Sequence, residues 1–120
     1  MTFKNIRPIL WTDKLGETIE FYTNILGFTC AEKNDDWGWA SLFRNEAAIM
    51  LAKPNEHMQF EKPVFTGSFY INVDNVDELW ETIRSKCNIL YDIENFPWEM
   101  REFAIYDNNG YILQFGQPVI

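Results

Sequence analysis

The chain has 120 residues and 47% hydrophobic content, enough apolar material for the core of one compact domain or two small modules. Its net charge of −8 argues against nucleic acid and anionic membranes as partners, because both would repel an acidic protein. The sequence shows no apolar signal region, no run of membrane-spanning length and no C-x-x-C or Cys/His pattern. We therefore predict reduced cysteines and a cytoplasmic protein.

The first half of the chain alternates between strand and helix patterns. In the predicted helix, Ile19, Tyr22 and Leu26 recur at the spacing of one helical face, and Gly27 suits the helix C-terminus. The predicted elements are a strand, a helix and three more strands, over residues 5–12, 15–26, 28–33, 37–44 and 47–52.

A polar segment without periodicity follows, and it predicts a linker over residues 53–65. This segment holds the single histidine, His57. A lone histidine in a polar linker is expected to be a solvated surface residue rather than a ligand to a metal.

The second half repeats the order of the first. Asn75 followed by Glu78 is typical of a helix start, and Val76, Trp80 and Ile83 mark an apolar helical stripe. A strand precedes this helix over 67–73, and three strands follow it. The sequence therefore predicts an α+β fold of two tandem βαβββ modules, over 1–52 and 66–120. Each module alone is too small to bury its sheet, so the two mixed sheets are expected to pair around a central cleft.

The last two strands read as a hairpin, because apolar runs flank the turn-forming residues 108–110. If Tyr106 pairs with Tyr111, Phe103 lies opposite Gln114 on the same face of the sheet. A covered amide needs hydrogen-bonding partners. We therefore predict that the face carrying Phe103 and Gln114 lines a polar cleft.

These features together resemble the vicinal oxygen chelate superfamily, which contains glyoxalase I, ring-cleaving dioxygenases and bleomycin-resistance proteins. The resemblance covers nearly the whole chain. It rests on the segments Pro8–Leu10, Thr18–Tyr22, Leu26–Phe28, Val73–Asp77 and Asp107–Gly110. It implies the fold strongly and the function weakly, since one fold hosts many chemistries.

The metal enzymes of that superfamily take His or Glu ligands from the first and last strand of each module. The matching positions here hold Arg7, Met50, Ser68 and Gln114. Only Gln114 offers a reasonable oxygen donor, and a metal site needs three or four good donors. The resemblance therefore implies no metal and no other cofactor in this chain.

Other catalytic patterns are missing from the sequence. It holds no Ser/His/Asp set and no phosphate-binding glycine loop, and Glu99 and Glu102 are interpreted as solvated charges at strand ends. Strand alternation, together with the loop before the last hairpin, predicts a ligand-binding cleft lined by Arg7, Trp11, Trp37, Trp39, Met50, Ser68, Tyr70, Trp98, Arg101, Phe103 and Gln114. The alternative interpretation is that the tryptophans only fill the core.

The mixture of aromatic and polar side chains resembles the metal-free, antibiotic-binding branch of the superfamily. This implies a homodimer that sequesters a small, aromatic molecule. Arg7 and Arg101 would repel a cationic drug unless acidic neighbours pair with them, which argues against bleomycin itself. The alternatives are a lyase or isomerase acting on a small carbonyl compound, and a regulatory or immunity-type module without a ligand.

Overall fold

The computed structural model describes residues 1–54 and 59–119, which fall into two compact units, Met1–Glu61 and Lys62–Ile120. Their strands and helices are, in chain order, β1 (Ile9–Trp11), α1 (Leu15–Glu20), β2 (Thr29–Asn34), β3 (Trp39–Arg44), β4 (Ala47–Ala52), β5 (Phe69–Asn72), α2 (Val76–Ile83), β6 (Asn88–Asn95), β7 (Met100–Tyr106) and β8 (Ile112–Pro118). A π-helical turn, Phe21–Ile25, directly continues α1. His57 lies outside the described residues, and the linker over 53–65 stays a prediction.

The first unit is a four-stranded mixed sheet in the order β1-β4-β3-β2. β1 runs parallel to β4, and the other two pairings are antiparallel. Parallel neighbours need a long crossover connection, and the helix lies between them in the chain. The core of this unit consists of buried apolar side chains from the sheet and the helix, among them Leu10, Tyr22, Leu26, Ala40, Leu42 and Leu51.

The second unit repeats this topology in the order β5-β8-β7-β6. Its helix α2 buries Val76, Trp80 and Ile83. Phe103 of β7 is fully buried, with its ring centroid 5.1 Å from that of Trp80 and 5.3 Å from that of Phe115. One face of this sheet is therefore an aromatic core against the helix.

The predicted α+β fold with two tandem βαβββ modules is confirmed. The observed strands differ from the predicted ranges by a few residues at their ends, and β1 is the shortest because it begins only after Pro8. Pro8 has no N–H to donate, although its carbonyl accepts a hydrogen bond of 2.8 Å from the Met50 N–H. The pairing of the two sheets around a cleft stays a prediction.

The predicted register of the last hairpin was wrong by one residue. Tyr106 pairs with Ile112 rather than with Tyr111. As a consequence, Phe103 pairs with Phe115 and not with Gln114. A slip of one residue exchanges the faces of a strand, so Phe103 and Gln114 lie on opposite faces of the sheet.

The cause of this register is Asp107 at the start of the turn. Its Oδ1 accepts N–H groups of residues 109, 110 and 111 at 2.8–3.0 Å. The Asp107 N–H in turn donates to the Tyr111 carbonyl at 2.9 Å. These hydrogen bonds set Asp107 opposite Tyr111 and leave only the three residues 108–110 to turn the chain.

Candidate functional site

The sheet face that points away from α2 carries a row of side chains across all four strands of the second unit. Tyr91 pairs with Ala104, Ala104 with Gln114, and Gln114 with Tyr70. Ala104 is the small member of this row, and the Gln114 amide reaches across it to donate a hydrogen bond of 2.8 Å to the Tyr91 hydroxyl. Ser68, just before β5, donates to the other end of the same amide, Gln114 Oε1.

Glu102 lies next to this row, on the same face of the sheet as Ala104, and it is only 1% exposed. Trp98 Nε1 donates to its Oε1 at 2.7 Å, and the Tyr70 hydroxyl donates to the same oxygen at 3.3 Å. The Tyr91 hydroxyl donates to Oε2, which the Gln114 amide also approaches at 3.4 Å. The interpretation of Glu102 as a solvated charge was therefore wrong, because the register places its carboxylate among four donors.

Gly116 gives Tyr70 the space to reach this carboxylate. It pairs directly with Glu102 across β7 and β8. A Cβ atom at position 116 would collide with the Tyr70 hydroxyl and lie 3.0 Å from the Cβ of Glu102. The phenol ring of Tyr70 thus occupies the volume that any other residue at position 116 would fill.

The short loop between β6 and β7 holds Trp98 over the carboxylate. The Phe96 N–H donates to the Met100 carbonyl at 2.9 Å, which closes the loop. Glu99 is exposed and adopts the left-handed conformation with φ 65°, so the chain reverses directly after Trp98.

Three aromatic rings around this loop pack against one another. The Phe96 and Trp98 rings stack with their centroids 4.8 Å apart and an interplanar angle of 15°. The Tyr91 ring makes an edge-to-face contact with the Phe96 ring, with the two centroids 5.3 Å apart. Tyr91, Phe96 and Trp98 thus form one packed group of rings beside the carboxylate. We call the following residues the carboxylate–aromatic cluster: Tyr70, Tyr91, Phe96, Trp98 and Glu102.

The electrostatics of this cluster keep its phenols protonated. Burial, followed by hydrogen bonding to Glu102, raises the pKa of Tyr91 to about 12. Burial and the negative charge of Glu102 also raise the pKa of Tyr70. Both hydroxyls therefore act as hydrogen-bond donors at neutral pH.

The ionisation of Tyr91 can be measured directly. In an ultraviolet pH titration, the difference between the protein and a Tyr91→Phe variant is expected to show one tyrosine ionising near pH 12. A tyrosine in the unfolded chain ionises at about pH 10. As the pH rises, Tyr91 therefore loses its proton in the unfolded state before it does so in the folded state. The contribution of protonated Tyr91 to the stability of the folded state is therefore present below about pH 10 and is lost between about pH 10 and pH 12. A difference spectrum that titrates at about pH 10 would contradict both the burial of Tyr91 and its hydrogen bond to Glu102.

Two of the predicted site residues of the second unit lie away from the cluster. Phe103 faces the helix core, as described above. Arg101 is on the same face and donates from Nε and Nη2 to the Asp77 carboxylate at 3.0 and 2.7 Å. These hydrogen bonds hold the pKa of Asp77 below its usual range. The prediction placed both residues beside Gln114 because it used the wrong register.

Of the predicted residues of the first unit, Trp11, Trp39 and Met50 lie on the face of its sheet opposite the buried core, and Arg7 precedes β1. Trp11 and Trp39 flank Ala52 in the strand register, and Trp39 Nε1 donates to Met50 Sδ at 3.3 Å. Trp37 lies in the exposed turn before β3.

A groove of about 470 Å³ runs along this face of the first unit. It is lined, among others, by Asn5, Arg7, Trp39, Ser41, Phe43 and Ala48. None of the described groove residues is a buried charged group like Glu102. The polar residues that line the groove are not buried, and none of them corresponds to the buried carboxylate of the second unit.

The comparisons with known proteins agree with this architecture. The family model described as the Glyoxalase/Bleomycin resistance protein/Dioxygenase superfamily matches residues 5–115. The chain belongs to this superfamily. No curated protein sequence is similar enough to count as a relative.

Three solved structures of the superfamily fold illustrate its range. A glyoxalase/bleomycin resistance protein/dioxygenase from Nocardioides aligns with a TM-score of 0.79 at 17% identity, covering 99% of this chain and 86% of that chain. A bleomycin-binding protein in complex with bleomycin aligns with a TM-score of 0.74 at 20% identity, covering 96% and 98%. A lactoylglutathione lyase from Agrobacterium tumefaciens aligns with a TM-score of 0.73 at 17% identity, covering 94% and 92%. At these identities the likeness shows the fold alone.

Three of the four side chains predicted at the metal-ligand positions of the superfamily form hydrogen bonds with other side chains of the protein. Met50 accepts the Trp39 N–H, and Ser68 and Gln114 bind each other. A thioether, a hydroxyl and an amide are a poor donor set for a divalent metal. Residues 1–54 and 59–119 hold no group of three His, Cys, Asp or Glu side chains suited to a metal, and no helix among them is long and apolar enough to cross a membrane.

Proposed function

We propose that this protein binds a small organic molecule without a metal and acts by sequestration, as a cytoplasmic homodimer. The observation that carries the proposal is the carboxylate–aromatic cluster, whose polar groups bind one another while two of its aromatic residues are exposed. Trp98 is 60% exposed and Tyr70 is 38% exposed. Exposed aromatic rings on a fixed polar support are typical of a binding surface for organic ligands.

The same geometry favours binding over catalysis. A general base needs a lone pair within reach of the proton that it removes. The Glu102 oxygens are covered by Trp98, Tyr70, Tyr91 and Gln114, and the carboxylate is almost fully buried. The lyase or isomerase alternative would need an accessible acid–base group, which this cluster does not offer. The exposed rings also argue against a module that has no ligand.

One structural neighbour supports the proposal in a coarse sense. That neighbour is a bleomycin-binding protein. At 20% identity we carry over only the binding of a small organic compound, and not the compound itself.

A ligand screen by thermal shift tests the proposed function. A ligand present at about 100 times its Kd should raise the free energy of unfolding by about 2.7 kcal/mol. Mass spectrometry should recover the bound compound chemically unchanged, since sequestration alters no bond. A compound that is consumed with turnover would support the lyase or isomerase alternative instead.

Chelation is expected to leave the protein intact. Because Arg7, Met50, Ser68 and Gln114 make a poor donor set, dialysis against a chelator should change neither the melting temperature nor ligand affinity. Elemental analysis is the matching measurement. Zinc, nickel or iron that is stoichiometric after plain dialysis and whose removal abolishes binding would contradict the proposal.

The homodimer is proposed because each sheet keeps two edge strands within its own unit, β1 and β2 in the first and β5 and β6 in the second. Unpaired strand edges invite further pairing, and two-fold dimers are the commonest oligomers of soluble proteins. Light scattering should give twice the chain mass of 14.2 kDa at micromolar concentration. A mass of 14.2 kDa under those conditions would contradict the dimer.

A further inference from the structure

The buried carboxylate of Glu102 has only neutral partners. Its donors are two phenols, an indole and an amide, and within residues 1–54 and 59–119 no basic side chain forms a salt bridge with it. Arg101 directly precedes Glu102 in β7, but its side chain lies on the helix face of the sheet, where it binds Asp77. The charge of Glu102 is therefore not neutralised by the cation nearest to it in the sequence.

A buried negative charge without a counter-charge is costly, and its field reaches the surface through the low-dielectric side chains that cover it. Here those side chains are aromatic. Tyr70 and Trp98 donate their polar hydrogens inward to Glu102, and the two residues remain 38% and 60% exposed. One face of the Trp98 ring stacks on Phe96. An aromatic face carries partial negative charge, so the rings and the carboxylate attract a cation together.

We infer that the carboxylate–aromatic cluster binds an organic cation, and that a quaternary ammonium suits it best. The inference rests on the proposed function and names the ligand class of the same site. Both oxygens of Glu102 already accept hydrogen bonds, so a ligand gains little from N–H groups of its own. Recognition then comes from ring faces and charge, as in aromatic cages for quaternary ammonium groups.

A pair of probes with the same shape isolates the contribution of charge. Phenyltrimethylammonium and tert-butylbenzene differ in the central atom of the branched group, nitrogen in one and carbon in the other. Titration followed by tryptophan fluorescence should show the cation binding roughly 5-fold or more tightly than the neutral probe. Benzoate, an anion, should bind more weakly than either.

Variants then assign this preference to the cluster. Glu102→Gln removes the charge and should lower the ratio of cation to neutral affinity to the smaller part that the aromatic rings contribute. Glu81→Gln removes the same charge from the exposed surface of α2 and should leave the ratio unchanged. Because Glu102→Gln risks misfolding, Trp98→Leu is the second variant. It should lower the affinity for the cation several-fold. Leu90→Ala, at an exposed position of β6, is its control.

The outcomes separate the inference from the proposed function. Equal affinity for the two matched probes, or a preference for benzoate, overturns the inference and leaves the binding function standing. The inference is also overturned if none of the three probes binds although the thermal-shift screen has found another ligand. Failure of the probes together with an empty screen contradicts the proposed function itself.

Discussion

Replacing Phe103 by alanine is expected to lower the free energy of unfolding by about 3–5 kcal/mol, the usual cost of removing a buried aromatic ring. Phe103 is fully buried and packs between Trp80 and Phe115. No exposed surface of Phe103 remains for a ligand, so the variant should retain ligand affinity wherever it is still folded. Phe103→Leu is the milder substitution, because leucine fills more of the buried volume than alanine does, and its loss of stability should be smaller.

Urea denaturation of the Phe103 variants measures this effect. Phe43→Ala is the control, because Phe43 is 41% exposed and the loss should be much smaller. The comparison tests the hairpin register. If Tyr106 paired with Tyr111, Phe103 would share a face with Gln114, and its replacement would reduce affinity more than stability. That result would contradict the register described here.

Replacing Glu102 by alanine is expected to lower the free energy of unfolding by about 1.5–3 kcal/mol. The carboxylate is the common acceptor for Trp98, Tyr70 and Tyr91, and its removal leaves these donors without their partner. The Trp98 indole N–H should then turn to water, and this greater contact with solvent should shift the tryptophan emission to longer wavelength.

The control for this prediction is Glu81→Ala. Denaturation curves and tryptophan emission spectra of the two variants are compared. Glu81 is exposed on α2, and its replacement should change stability by no more than about 0.5 kcal/mol. Equal stability of the two variants would show that Glu102 behaves as a solvated charge, as the sequence alone had indicated.

The fold was predictable because it depends on periodicity. The stripe Val76, Trp80 and Ile83 specifies a helix with one buried face, and the strand–helix–three-strand order occurs twice. These patterns extend over many residues, so small errors at the ends of elements do not change the topology.

The site was less predictable because it depends on a single residue of register. Pairing Tyr106 with Tyr111 puts Asp107 inside the loop and not opposite Tyr111, although an aspartate before Asn-Asn-Gly is a recognisable turn signal. Once Asp107 stands opposite Tyr111, alternation places Glu102 and Gln114 on one face of the sheet.

The space for Tyr70 could not be predicted from the sequence at all. Gly116 admits the phenol ring, and this depends on how two strands meet rather than on any local pattern. A glycine near the end of a strand has several common explanations, among them a bulge or a bend. The contact between Tyr70 and Glu102 therefore required the structure.

The most direct test of metal-free binding at the carboxylate–aromatic cluster is a titration with the best compound from the thermal-shift screen. It should be run on chelator-treated protein and on Trp98→Leu. We expect chelation to leave the Kd unchanged, and Trp98→Leu to raise it several-fold. Because this variant loses a hydrogen bond to the buried Glu102, its melting temperature should fall, and the titration is run well below that temperature. A Kd that Trp98→Leu leaves unchanged, or binding that disappears with the metal, would contradict the account.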